Sequence, residues 1–237
     1  VGGPHADAYS IGYVVQISLG IVIGLFVNML VFPAVNLNDV GRQLSKYRSV
    51  LADHLSEVAG ALTESWPPER DGWASRSDAL VSISGDLRAA LHQADDTRKV
   101  NPRDRIHHRD LSADFKDLVA LETIAFHVRD LTEVLAGAAW GTPVDVELKP
   151  ELRPSPSLAL DAVAAVFRDW DSGNTDRTSY SAAADTLASL MTELDERRDS
   201  APATSMGAAT GIAMDIARIL AALRSRLEQP PNRTTDA

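Results

Sequence analysis

Histidine, aspartate and arginine supply each fragment of this 237-residue sequence that looks like a catalytic motif. His108-Arg109-Asp110-Leu111 matches the opening of a protein-kinase catalytic loop. The asparagine that should follow is Phe115, and neither a Gly-rich loop nor Asp-Phe-Gly occurs. His54 has the look of a phospho-accepting histidine on a dimerisation helix, but no ATP-binding region follows it, so it reads as a solvated or interfacial residue. His107 and His108 are adjacent and would point to different sides of a helix, which suits no single metal ion. Asp95-Asp96, Asp169/Asp171 and Glu193/Asp195/Glu196 sit among other charges and read as solvated faces. GxSxG, HExxH and the Walker loop are absent. The absence of cysteine excludes disulfides, zinc knuckles, iron–sulfur clusters and thiol chemistry. The expectation is a protein that is not an enzyme, with no catalytic residue, cofactor or metal.

Two other groups of residues carry physical meaning. Gly12, Gln16, Gly20, Gly24 and Asn28 recur every fourth position, and Gly20 and Gly24 form a GxxxG. On a helix they make one face, where small residues admit a second backbone and the amides find hydrogen-bond partners away from lipid. The second group is Arg98, Lys99, Arg103, Arg105 and Arg109, the most basic stretch of a chain whose formal net charge is −10. It suits anionic lipid headgroups or a small anionic solute. The simpler reading is that these cations complement a helix C-terminus and are neutralised by Asp95, Asp96, Asp104 and Asp110. With 33 acidic against 23 basic residues, nucleic acid is not an expected partner.

The elements that must position these groups are helices. Residues 11–35, IGYVVQISLGIVIGLFVNMLVFPAV, contain no charge. As a helix they would span roughly 37 Å, enough for a hydrocarbon core of about 30 Å. A transmembrane helix is therefore expected here, preceded by a short extramembrane segment, 1–10. Arg42, Lys46 and Arg48 follow the span and no Lys or Arg precedes it, so the positive-inside rule puts the C-terminal side in the cytoplasm. Pro33 can end or bend the span at that exit.

Beyond residue 36, apolar residues recur at spacings of three and four. Val40, Leu44, Tyr47, Leu51, Leu55, Val58 and Leu62 mark a first helix, with Asn38 or Asp39 as its cap and the Trp66–Gly72 segment as its end. Leu80, Ile83, Leu87 and Leu91 mark a second, from about Trp73 to Lys99, and Asn101-Pro102 looks like the start of the next. Leu111, Phe115, Leu118, Leu121, Ala125, Val128, Leu131 and Leu135 mark a third, ending near Ala139. Residues 36–140 thus form the long-helix part of a bundle. Residues 141–156 read as a Pro-rich loop, 157–228 as shorter helices completing the bundle, and 229–237 as a disordered tail. The shorter helices carry Val163, Val166, Phe167 and Trp170; then Tyr180, Leu187, Leu190 and Leu194; then Ile212, Ile216, Ile219, Leu223 and Leu227. Apolar stripes with polar backs must bury against one another, so the expected fold class is all-α, one transmembrane helix followed by a cytoplasmic antiparallel helical bundle. If the first two helices form a hairpin, the basic turn returns to the membrane end.

LGIVIGLFVNMLVFPAV, followed by RQLSKYRSVLADHLSEVAGAL and later by ADDTRKVNPRDR, resembles bacterial membrane proteins of the fusaric acid resistance/aromatic acid exporter superfamily. The resemblance covers about residues 11–110. It implies the last membrane helix and cytoplasmic domain of a protein with about six spans in the bacterial inner membrane. Such a protein would export small organic acids as a homo-oligomer, with other transmembrane helices and the bilayer as partners. A start at Val1 agrees with a fragment. The alternative is a single-pass signalling or scaffold protein with a dimerising helical bundle.

Overall fold

A computed structural model describes residues 16–21, 23, 37–100, 111–174, 177–200 and 202–228. The chain divides into two units, Val1–Asn36 and Leu37–Ala237. In the first, residues 16–21 and 23 are helical, and Ile17, Leu19, Ile21 and Ile23 are exposed. The rest of the 11–35 stretch lies outside the described residues.

The second unit is all-α, with no strand among the described residues. Its helices are α1 (Leu37–Glu64), α2 (Arg70–Val100), α3 (Leu111–Trp140), α4 (Pro154–Ser172), α5 (Thr178–Glu196) and α6 (Ala203–Leu227), with a 3-10 turn at Pro150–Leu152. The seven apolar residues expected to mark the first helix are all buried, Tyr47, Leu51, Leu55 and Val58 completely. Its largest contact is with α4, where Leu160, Val163 and Phe167 are equally inaccessible. Each such side chain contributes about 1.5–3 kcal/mol through burial. The next largest contact joins α3 to α6. There Leu121, Ile124, Val128, Leu131 and Leu135 on α3, and Ile212, Ile216, Ile219 and Leu223 on α6, are fully buried.

Contacts between named residues give the relative sense of α1, α2, α3 and α4. Along α1 and α2, Tyr47 has Ser84 beside it and His54 faces Trp73. Along α2 and α3, Trp73 stands against Trp140 and His92 against Phe115. Along α1 and α4, Ser45 meets Asp171 and Ser157 meets the Ala59 carbonyl. In each pair, residue numbers rise on one helix as they fall on the other.

Several boundaries differ from the pattern-based reading. Asn38 and Asp39 lie inside the described α1 rather than ahead of it. The second helix starts at Arg70, before Trp73. The largest change concerns 141–156: a 3-10 turn and the start of α4 at Pro154 occupy its second half. Pro154 and Pro156 fall in the first turn of α4, where a missing N–H costs nothing and a preset φ favours the helix. In the rest of the segment most residues are exposed, but two contacts hold it to the bundle. Leu148 and Leu152 are buried, and the Val144 carbonyl occupies the place where a Cβ on Gly137 would stand. Gly141, at φ +70°, stops α3 in the left-handed conformation and donates its N–H to the Gly137 carbonyl at 2.9 Å.

Among the described residues one helix, α6, is long and apolar enough to cross a membrane. Half of its apolar window is buried within the protein. Asp215 and Arg218 are its sole charges between Ala203 and Leu223. Its apolar residues at three- and four-residue spacing are those that fill the α3–α6 interface, which accounts for its composition without lipid.

Candidate functional site

Both sequence-derived sites lie largely outside the described residues. Of the glycine and amide stripe, Gln16 and Gly20 are described, both helical and exposed, and a Cβ on Gly20 would meet nothing within 4 Å. Gly12, Gly24 and Asn28 lie outside. Of the basic group, Arg98 and Lys99 belong to the last turn of α2, while Arg103, Arg105 and Arg109 lie outside. Because α2 doubles back on α1, its last turn comes to the end of the bundle at which α1 begins.

That end holds a cluster of charges which the sequence does not announce. Arg48 on α1 donates from Nη2 to Asp117 on α3 at 2.6 Å, and its Nη1 lies 3.7 Å from Asp171 on α4. Arg226 on α6 donates from Nε to the same Asp117 at 2.7 Å. Ser45 donates to Asp171 at 2.9 Å, and the Arg48 guanidinium lies 4.3 Å from the centre of the Trp170 ring. Two cations and two carboxylates thus join four helices. Asp171 is a partly buried acceptor and not part of a solvated face. Glu193 is another correction, since it accepts from Ser155 and pairs with Arg197 at 3.0 Å.

At the opposite end, His54 is buried between helices. Thr132 donates its hydroxyl to the Val128 carbonyl at 2.6 Å, so it accepts from His54 Nε2, 3.1 Å away, and that nitrogen carries the proton. Trp73 stands edge-on to His54 and to Trp140, with ring centres 6.0 and 5.8 Å apart. These indoles line an open groove of about 740 Å³ between α2 and α3, with Arg70, Asp78, Val81, Arg129, Glu133, Ala136 and the Thr142-Pro143 segment. Arg70 donates to the Thr142 hydroxyl at 3.1 Å and lies over Trp140. Sequence reading missed the groove because its tryptophans sit far apart in the chain and Trp73 looked only like a helix start.

A third polar cluster lies between α3 and α6. His127 Nδ1 is 3.2 Å from Asp215 Oδ1, and Arg218 reaches the same oxygen at 3.2 Å. Burial raises the Asp215 pKa most, with Asp130 adding to the rise and Arg218 and His127 opposing it. Elsewhere in the core, burial pushes Tyr47 up to about 12, with the nearby Ser84 opposing the rise. No group of three or more His, Cys, Asp or Glu suited to a metal ion occurs among the described residues.

Compared with known proteins, the chain matches no family model, no curated protein and no solved structure.

Proposed function

We propose that this chain is the last membrane helix and the cytoplasmic helical domain of a multi-span bacterial exporter of small organic acids. In this reading the antiparallel bundle, on the inner face of the plasma membrane, serves assembly or gating and performs no catalysis. The observation that carries the proposal is the uncharged 11–35 stretch, which leads directly into a charged helical body whose first basic residues are Arg42, Lys46 and Arg48. The resemblance of residues 11–110 to the aromatic acid exporters supplies the solute class. Gly12, Gln16, Gly20, Gly24 and Asn28 then pack against neighbouring spans of the same protein or of other protomers.

The test is accumulation of a labelled aromatic acid in cells expressing the whole open reading frame that contains this chain, compared with the same frame lacking 37–237. The intact protein should lower intracellular acid several-fold and the truncated one should not. Equal accumulation with and without the intact protein contradicts the exporter reading and favours the single-pass scaffold. In the exporter reading, Arg98, Lys99, Arg103, Arg105 and Arg109 also meet anionic headgroups or anionic solute. Charge reversal at Arg98, Arg103 and Arg105 should weaken binding to phosphatidylglycerol liposomes, and unchanged binding removes that part of the proposal.

A further inference from the structure

We infer that the groove between α2 and α3 binds a short peptide with free termini and an apolar middle. The argument begins with the charges on its walls. Arg129 and Glu133 neutralise each other, 3.2 Å apart. Among the described residues that leaves Arg70 without a carboxylate partner and Asp78 without a cation. Arg70 spends one of its five donors on Thr142, leaving the rest of the fork for a carboxylate. A simple anion in this groove would face Asp78 uncompensated, and a simple cation would face Arg70. A ligand with one charge of each sign at its two ends satisfies both.

The spacing sets its length. Arg70 and Asp78 are eight positions apart on one helix, about 12 Å along the axis. An extended tripeptide or tetrapeptide covers roughly 10–14 Å. The apolar part of the walls is Trp73, Trp140, Val81, Ala136 and Pro143, which take an apolar or aromatic side chain. Trp73 is itself buried, so its indole forms a fixed part of the groove wall. The groove lies at the end of the bundle away from Leu37, so this inference stands apart from the exporter reading.

The experiment uses the 237-residue chain in detergent micelles, with its four tryptophan indoles labelled for NMR. The probe is Ala-Phe-Ala with free termini, titrated beside the N-acetylated, C-amidated and doubly blocked forms. The free peptide should shift the Trp73 and Trp140 indole signals saturably, and the doubly blocked form should bind at least about tenfold weaker. Arg70→Gln should cost affinity for the free peptide but not for the C-amidated one. Asp78→Asn should do the same with respect to N-acetylation. Both positions are exposed, and unchanged circular dichroism will show that the variants fold. No saturable shift at low millimolar peptide would overturn the inference. Equal binding of free and doubly blocked peptide, or loss of affinity in the variants regardless of which end is blocked, would also overturn it.

Discussion

Gly137 shows how one residue can fix a whole segment. The Val144 carbonyl occupies the space a Cβ would need, so Gly137→Ala must push the 142–149 segment off α3. We expect a loss of about 1–3 kcal/mol, the range for overpacked sites, read from the urea midpoint. Asp215 makes a different prediction, about pH. Its folded pKa is raised, so the folded state holds this proton more tightly than the unfolded chain. Its stabilising contribution is complete below the unfolded value, near 3.9, and is lost as pH rises through the higher folded value. Asp215→Asn removes that loss. The urea midpoint of the variant should therefore improve relative to the parent as pH rises above the unfolded value. A difference that does not change with pH would contradict the assignment. Neither residue was legible in the sequence. A glycine near a helix end gives no sign of the carbonyl that will approach it, and Asp215 in an apolar helix gives no sign of His127.

Among the elements, the helices themselves were legible because their stripes are long and regular. Every apolar residue assigned to α1 is buried, as are Ile212, Ile216, Ile219 and Leu223 on α6. Less legible were the faces made of small side chains, such as Ala159, Ala164, Ala183, Ala209 and Ala213, all buried. Reading only large apolar residues also gave Phe115 and Trp170 core positions that are half-buried in fact. The joints between helices were hidden for another reason: they are polar. Asp117 serves both Arg48 and Arg226, and its side chain is 13% exposed. Asp117→Ala takes away the carboxylate that Arg48 and Arg226 share, and leaves Arg48 with Asp171 at 3.7 Å. We expect a cost of about 3 kcal/mol in urea unfolding, the scale for breaking a buried pair. A change below about 0.5 kcal/mol, typical of a surface pair, would mean that the cluster is screened and contributes little.

For the molecule as a whole, the three- and four-residue spacing of apolar residues made the helical class legible. The groove formed by Trp73 and Trp140 was not legible, since it exists only after α2 has folded back onto α3. The membrane assignment remains the central claim, and α6 sharpens it: a helix of spanning length and apolarity can also be a core helix, so the two stretches must be separated by experiment. The direct measurement is flotation with lipid vesicles after co-translational insertion, comparing the full chain with residues 37–237 and repeating each after alkaline carbonate. The account predicts that the full chain floats and resists carbonate while 37–237 stays in the aqueous layer as a helical protein. A full chain left in the aqueous layer, or a 37–237 fragment that floats through α6, would contradict it.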